Sequence, residues 1–317
     1  MKKLFRGIAA ALLLCTAAVQ AVSLTSCTGD TEKISDIVIE SVTASEGEIT
    51  EAPKNAAVLM SSLAEIWKEA GGEVSITVGE SVERGFADDS AILVDSGAGK
   101  TVNTELLISL KPDIVICSED IPAQVEAAEL LESAGIRTEI YRVESFSDYL
   151  SVLDSMTDIT GNKNAYTEKG LRVKEQIEAL LGSDTAKSAA GKNILFVRAG
   201  SSASSTKAKL PDDHFACAML EELGCVNIAD GDSPLIDSLS MEYIISTDPC
   251  YIFFSMMGNE DAAMKNINSM LEEETWKSLT AVKENRVVIL PKDLFHFKPN
   301  AKWADAYKYL IDIFAEN

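Results

Sequence analysis

Histidine and positive charge are both scarce in this chain of 317 residues. There are two histidines, His214 and His296, and 28 lysines and arginines stand against 50 aspartates and glutamates. So few imidazoles argue against a zinc site built from histidine ligands. The formal net charge of -22 argues against nucleic acid as a partner, because phosphates require a basic surface. It also argues against direct adhesion to anionic lipid headgroups.

Motifs for nucleotide hydrolysis and for nucleophilic catalysis are incomplete. Residues 97–101 resemble the end of a phosphate-binding loop, but Val94 stands where that loop requires glycine. Residues 204–207 fit the Ser-x-x-Lys pattern of acyl-transferring enzymes without its Lys-Thr-Gly or Ser-Asp-Asn partners. We therefore predict no catalytic residue, no metal site and no cofactor, and an enzyme remains the alternative class of protein.

The first 26 residues predict an export signal. Three basic side chains within the first six residues precede an apolar run at residues 7–22, which is shorter than the roughly 20 residues that a membrane span needs. The sequence Leu-Thr-Ser-Cys at residues 24–27 resembles a bacterial lipobox, which implies cleavage before Cys27 and a lipid on its thiol. We therefore expect a chain anchored to the outer face of the cytoplasmic membrane. A plain secretory signal with a chance cysteine is the alternative.

The remaining sequence predicts an acidic tether followed by an α/β fold. Residues 27–52 hold too little apolar surface to fold and are interpreted as a flexible tether. From there on, short apolar runs alternate with amphipathic stretches, which is typical of α/β units. We expect an N-terminal lobe at residues 53–161, an interlobe helix at residues 162–187 and a C-terminal lobe at residues 188–317.

Several helices and strands can be placed from the hydrophobic pattern. Residues 113–117 predict a strand that is apolar on both faces, as a covered parallel sheet requires. Residues 122–134 predict a helix that ends at Gly135. Residues 164–181 predict the long helix between the lobes, and residues 271–279 predict a further helix in the second lobe.

Four cysteines follow the signal and the proposed anchor. Cys117 and Cys250 lie in or beside apolar runs and are interpreted as buried thiols. Cys217 and Cys225 are close enough in sequence to pair across a short loop, but their spacing does not decide this.

An ordered set of segments is similar to the periplasmic binding proteins of iron-siderophore, haem and cobalamin importers. It comprises residues 104–107 (Thr-Glu-Leu-Leu), 110–116 (Leu-Lys-Pro-Asp-Ile-Val-Ile), 219–224 (Met-Leu-Glu-Glu-Leu-Gly) and 276–291. The resemblance implies two Rossmann-like lobes, one long interlobe helix and a ligand cleft between the lobes. It also implies that the chain delivers a small-molecule ligand, an iron chelate (siderophore or haem) or cobalamin, to an ABC permease. We expect a monomer.

The resemblance further implies a docking device for the permease. Members of the family carry one glutamate in each lobe that meets arginines of the permease. By position these are Glu105 and Glu221 here, with Glu222 as a rival for the second. The alternative is that these are ordinary exposed glutamates on helices.

Ligand-binding side chains are expected beyond the carboxyl ends of the parallel strands. The loops predicted there include residues 142–145, 199–209, 255–259 and 292–298. Basic side chains in such loops would favour an anionic ligand through charge-assisted hydrogen bonds, although loop lysines are often only solvated. The full set of predicted ligand-binding residues is Trp67, Lys100, Arg198, Lys207, Lys209, Met256, His296 and Lys298.

His296 is the best candidate for an axial haem ligand. Its partner on the other side of the haem would be Tyr141, Met256 or Met257. An ordinary hydrogen-bonded loop histidine is the alternative. Aromatic walls could come from Trp67, Phe295, His296, Phe297 and Trp303, and the two tryptophans fit core positions equally well.

Overall fold

The structure is a computed structural model that describes residues 52–95, 101–230, 235 and 239–315. All of them belong to one compact unit, residues 49–317. The predicted export signal, Cys27 and the tether as far as residue 51 lie outside the described residues, as does Lys100. None of the described helices is both long enough and apolar enough to span a membrane.

The N-terminal lobe is built on a parallel sheet of five strands in the order β3-β2-β1-β4-β5. The strands are β1 (Ala56–Val58), β2 (Ile76–Thr77), β3 (Ile92–Leu93), β4 (Ile114–Ser118) and β5 (Thr138–Tyr141). Every residue of β1 and β4 is buried, which explains why both read as continuous apolar runs.

Five helices cover this sheet. They are α1 (Ser61–Glu69), α2 (Gly79–Glu83), α3 (Thr104–Leu110), α4 (Pro122–Ser133) and α5 (Phe146–Thr160). The predicted helix at residues 122–134 is confirmed, and Gly135 follows it with a φ of 79°. The hydrophobic pattern does not predict α2 or α5. The start of α5 nevertheless has a clear signal, a capping box between Ser145 and Asp148.

A continuous helical segment connects the two sheets. It runs through α6 (Lys163–Ala165), a π-helical stretch (Tyr166–Leu171) and α7 (Arg172–Leu181). The predicted helix at residues 164–181 is thus confirmed. The π-helical stretch packs closely on α5 at Gly170, where a Cβ atom would come within 2.9 Å of a methyl group of Leu150. The domain boundaries themselves stay a prediction.

The C-terminal lobe contains a second sheet, mostly parallel, in the order β10-β9-β6-β7. Its strands are β6 (Asn193–Ala199), β7 (Lys207–Ala208), β8 (Val226–Asn227), β9 (Tyr251–Met256) and β10 (Val287–Ile289). β8 pairs in parallel with the start of β6, and β7 pairs in antiparallel fashion with the end of β6. The predicted α/β fold class with parallel sheets is confirmed.

The helices of this lobe are α8 (Phe215–Glu222), α9 (Met241–Thr247), α10 (Glu260–Leu271), α11 (Glu274–Lys277), α12 (Thr280–Lys283), α13 (Lys292–Phe295) and α14 (Trp303–Ala315). The predicted helix at residues 271–279 is wrong. Helix α10 ends at Leu271, and the buried Trp276 and Leu279 point inward from the short segment that follows. Their apolar spacing reflects separate segments packing on one core.

All four cysteines in the described residues are free thiols. Cys217 Sγ lies 3.4 Å from the carbonyl oxygen of Lys209, and Cys225 Sγ lies 3.6 Å from that of Ala189. The two thiols therefore have different partners and form no disulfide. Burial raises the pKa of Cys117, Cys217 and Cys225 to about 12, so these thiols are unreactive.

One hydrophobic cluster extends through both lobes. It includes Trp67 of α1, Tyr149 of α5, Phe196 of β6 and Trp303 of α14. Trp67 has no exposed surface, and its indole N–H donates to the carbonyl oxygen of Glu73 over 3.0 Å. Its prediction as a wall of the cleft is therefore corrected: a fully enclosed ring offers no face to a ligand.

Two half-buried carboxylates of α1, Glu65 and Glu69, lie beside this cluster. The fully buried Asn300 donates from Nδ2 to Glu65 Oε2 over 2.7 Å and to the carbonyl oxygen of Ser62 over 3.1 Å. One turn along α1, Glu69 accepts a hydrogen bond from the Tyr149 hydroxyl over 3.1 Å. Burial, reinforced by the charge of Glu65, raises the pKa of Glu69 to about 7.

The raised pKa of Glu69 predicts a pH-dependent stability. The folded chain holds this proton more tightly than the unfolded chain, so the free energy of unfolding falls as pH rises from about 4.5 to about 7. Because one pKa unit corresponds to about 1.4 kcal/mol, the loss amounts to up to about 3 kcal/mol. We expect Glu69→Gln to raise the melting temperature at pH 8 and to change it little at pH 5.

The measurement is the melting temperature of the domain over this pH range. Glu175→Gln, which replaces an exposed glutamate of α7, is the matched control and should follow the wild-type curve. Equal pH slopes for Glu69→Gln and the wild type would contradict the prediction.

Candidate ligand-binding cleft

The face of the C-terminal sheet that enters the shared core becomes polar at the carboxyl ends of its strands. Along β6, Phe196 packs in the shared cluster and Arg198 follows on the same face. Along β9, Phe253 is followed in the same way by Ser255. The parallel register places Arg198 opposite Ser255. This polar end lies where ligands bind in parallel α/β sheets.

Three basic side chains form a row on that face, which we call the basic row: Arg198, Lys207 and Lys209. Lys207 of β7 lies directly opposite Arg198 in the antiparallel register. Lys209 follows two residues later, so strand alternation places it on the same face. Like charges directly opposite each other destabilise a strand pair. Among the described residues none of the three has a salt bridge, and Arg198 Nε is buried without a hydrogen-bond partner.

His214 lies beside the basic row and is held in its neutral form. Its Nδ1 accepts a hydrogen bond from the Ala216 N–H over 3.2 Å, so Nε2 carries the proton and donates to Ser255 Oγ over 3.0 Å. Burial and then the positive charges of Arg198, Lys298 and Lys209 lower the pKa of His214 to about 3. The ring is therefore a fixed hydrogen-bonding wall and adds no charge to the cleft.

An ion pair crosses from the C-terminal to the N-terminal lobe at the same place. Lys298 Nζ lies 2.6 Å from Glu144 Oε2, and 5.1 Å from the ring centroid of Phe215. The Lys298 side chain is 18% exposed, so its charge is only partly screened by water. Lys298 therefore pairs with an acidic side chain of the other lobe, and its positive charge also acts on the nearby His214.

A cavity of about 670 Å³ opens next to this ion pair, between α1 and α2 of one lobe and α13 of the other. Glu80, Glu83 and Arg84 line its N-terminal wall. Lys292 and His296 line its C-terminal wall. Across the cavity, Lys302 of the second lobe interacts electrostatically with Glu65 of the first, and Asp293 interacts with Arg84, so the attraction favours closed lobes.

Arg84 connects the two walls of the cavity. Its guanidinium carbon lies 3.7 Å from the ring centroid of Phe297, a cation–π contact between the lobes. On its own lobe it donates from Nη1 to Ser61 Oγ over 2.8 Å. The sequence does not point to Arg84, because it ends the short helix α2 that the hydrophobic pattern misses. Phe297 is one of the aromatic side chains that the sequence predicts as possible walls of the cleft.

His296 is positioned by the end of β9. Its Nδ1 lies 2.8 Å from the carbonyl oxygen of Met256. The prediction for Met256 is corrected: its side chain packs against the outer core of the lobe, beside residues such as Phe254, and its backbone carbonyl is what faces the cleft. The strand continues to Met256, and alternation therefore turns that side chain away from Ser255.

The structure thus brings five of the predicted ligand-binding residues to one region. These are Arg198, Lys207, Lys209, His296 and Lys298. Their contact with a ligand stays a prediction. His214 and Glu144 join them although no sequence motif marks either residue, because their role depends on packing between elements distant in sequence.

The two predicted docking glutamates are exposed, Glu105 in the first turn of α3 and Glu221 near the end of α8. Within the described part of the chain neither side chain has a salt bridge or hydrogen bond. The rival Glu222 accepts a hydrogen bond from the Tyr307 hydroxyl. That contact favours Glu221 over Glu222 as the residue free to meet a partner.

Comparison with known proteins identifies one family. The family model described as "Periplasmic binding protein" matches residues 57–294. No curated protein matches the chain significantly.

Solved structures with a similar fold include Staphylococcus aureus SirA complexed with staphyloferrin B. It has 19% identity and a TM-score of 0.60, covering 85% of this chain and 94% of SirA. The vitamin B12 binding protein BtuF of Vibrio cholerae has 18% identity and a TM-score of 0.63, covering 84% and 98%. S. aureus IsdE complexed with heme has 16% identity and a TM-score of 0.64, covering 82% and 98%.

The environment of His214 predicts that its imidazole does not titrate near neutral pH. Because its pKa is lowered to about 3, the neutral ring stabilises the fold above about pH 6.5, and this contribution is lost as pH falls toward 3. We expect flat NMR shifts for His214 from roughly pH 5 to 8. His296→Gln, which leaves one histidine, assigns the signal. A midpoint for His214 near 6.5 would contradict the described hydrogen bonds.

Proposed function

The chain belongs to the periplasmic binding protein family, and we propose that it is the substrate-binding component of an ABC importer for an iron chelate. It captures a siderophore complex or haem outside the cell and delivers it to the permease. The observation that carries this proposal is the basic row at the polar end of the C-terminal sheet, joined by Lys298. In a chain of net charge -22, basic side chains without acidic partners are suited to hold an anionic ligand.

Ferric siderophores and haem both carry negative charge, on chelating groups or propionates, and suit this row. The similar structures of SirA with staphyloferrin B and of IsdE with heme show that this fold accommodates such ligands. Cobalamin is the second candidate, because BtuF has the same fold. Cobalamin needs fewer cationic side chains for its binding than ferric siderophores or haem do, so it matches the basic row less well. The proteins named above are binding proteins, which favours binding over catalysis here.

Ligand capture in this proposal requires a modest closure of the lobes and no bond chemistry. The contacts that cross between the lobes include Lys298 with Glu144, Arg84 with Phe297, and Asn300 with Glu65. The shared hydrophobic cluster limits how far the lobes can separate. Docking on the permease then shifts the equilibrium toward the open form and releases the ligand.

The proposal includes the membrane anchor and the oligomeric state. A lipid on Cys27 would hold a monomeric chain at the outer face of the cytoplasmic membrane, within reach of the permease. The lipobox-like residues 24–27 support this part of the proposal.

Binding is tested with the mature domain and a panel of ferric siderophores, haemin and cobalamins. A ligand that binds only the folded state raises the melting temperature. We expect a shift with an iron chelate, and we expect Arg198→Gln with Lys209→Gln to weaken that binding by about tenfold or more, the value of one charge-assisted hydrogen bond.

Lys265→Gln, at an exposed lysine of α10 outside the cleft, is the matched control and should bind as the wild type does. No shift with any member of the panel would overturn the iron-chelate and corrinoid assignments together.

Docking on the permease gives a separate prediction. We expect Glu105→Lys with Glu221→Lys to abolish uptake of the ligand in cells that carry the importer, since the reversed charges would repel arginines of the permease. Ligand affinity of the purified double variant should be unchanged, because both side chains lie on exposed helix surfaces. Glu126→Lys, at an exposed glutamate of α4, is the control. Normal uptake by the double variant would refute this docking role.

A further inference from the structure

The ion pair between Lys298 and Glu144 lies where the proposed cargo binds. Lys298 lines the interlobe cavity, and its charge acts on His214 together with those of Arg198 and Lys209. Glu144 belongs to the loop that follows β5 at the carboxyl edge of the N-terminal sheet. Its Oε2 lies 2.6 Å from Lys298 Nζ. A carboxylate of the protein itself therefore occupies one of the cations of the cleft.

Lys298 is the fixed member of this pair. Its side chain is 18% exposed, and Nζ lies 5.1 Å from the ring centroid of the buried Phe215. Two residues later, Asn300 has no exposed surface and donates a hydrogen bond to Glu65 of α1. These contacts do not involve Glu144, so they keep the ammonium group at the cleft when that carboxylate moves away.

Glu144 is the movable member of the pair. Its side chain is 39% exposed, and within the described part of the chain Lys298 is the one partner of its carboxylate. Its backbone N–H, in contrast, donates to Asp148 Oδ2 over 3.0 Å, beside the capping box that begins α5. The carboxylate can therefore leave Lys298 by side-chain rotation alone, which breaks one partly exposed ion pair and no backbone contact.

An anionic cargo competes with Glu144 for Lys298. An ammonium group has three N–H donors, but a second negative group at Nζ would repel the carboxylate that is already there. The cargo can also reach Arg198 and Lys209, whose charges act on the same histidine as that of Lys298. A chelate that fills the cleft displaces water from around Lys298, and the lower local dielectric constant strengthens the new contact. The exchange therefore favours the cargo, but binding has to replace an ion pair within the protein.

We infer that Glu144 is an internal competitor of the cargo. Its carboxylate occupies Lys298 before capture, moves aside when an anionic chelate binds and returns to Lys298 on release. This inference rests on the proposed function and assigns a residue that sets affinity within its site. The competitor lowers the affinity only of ligands that place a negative group at Lys298, and it replaces that group when the cargo leaves.

Calorimetric titration of the purified protein with haemin, ferric citrate and each ferric siderophore of the panel above tests the competition. We expect Glu144→Gln to bind the cargo chelate about fivefold more tightly than the wild type does, since the neutral amide no longer competes for Lys298. Glu144→Ala should show the same gain. A gain in affinity requires a folded site, so damage to the structure cannot produce it.

A double-mutant cycle shows whether the effect runs through Lys298. In a Lys298→Gln background, Glu144→Gln should change the affinity much less than it does in the wild type, because there is no ammonium group left to compete for.

Glu129→Gln, at an exposed glutamate of α4, is the control with the same change in net charge and should bind as the wild type does. If an iron chelate binds the wild type but binds Glu144→Gln equally well or more weakly, the inference is wrong while the proposed function stands. An equal gain in the Lys298→Gln background, or in Glu129→Gln, would also refute it, because the gain would then reflect net charge alone. If no iron chelate binds at all, both the inference and the proposed function fail.

Discussion

The hydrophobic cluster shared by the two lobes is the constraint on which the rest of the structure depends. Its aromatic members come from α1 and α5 of one lobe and from β6, α8, β9, α13 and α14 of the other, so this core is completed by both lobes together. The partly buried hydrogen bond from Asn300 to Glu65 connects the two lobes beside this cluster. Close-packed interiors resist gradual deformation, which leaves a small hinge motion as the accessible change. The cleft between the lobes is consequently present before a ligand binds, because both lobes share one core.

The position of the basic row follows from the same core. Phe196 and Phe253 occupy the sheet face that enters the cluster, and the next residues on that face, Arg198 and Ser255, emerge where the cluster ends. Lys207 lies opposite Arg198 there without an acidic partner, although like charges in this position destabilise a strand pair. Lys298 nearby, in contrast, is paired with Glu144. A chain with a large excess of carboxylates thus has three neighbouring cations at one edge of one sheet that form no salt bridge among the described residues.

The sequence allows prediction of those features that local pattern determines. β4 and α4 were predicted closely because full burial and a terminal glycine are visible in the residues themselves. Several cleft residues were predicted because loops after parallel strands meet at one edge. Helix α5 was missed although Ser145 caps it and its buried residues recur with helical spacing. Met256 was misplaced because β9 continues further than its apolar run, and that extension reverses which side chain faces the cleft. The role of Arg84 depends on its contact with Phe297, which lies 213 positions later in the chain (297 minus 84). No local sequence pattern encodes such a contact.

The extension of β9 also links the hinge to the ligand site. The residue whose side chain it turns outward, Met256, presents the carbonyl oxygen that sets the tautomer of His296. The other constraint on that ring, Phe297, is held by Arg84 from the opposite lobe. Separation of the lobes must break the contact between Arg84 and Phe297 while leaving the bond to Met256 within its own lobe. The orientation of the His296 ring therefore depends on its own lobe through Met256 and on the other lobe through Phe297 and Arg84, so a change in the distance between the lobes changes how this wall of the cleft is held.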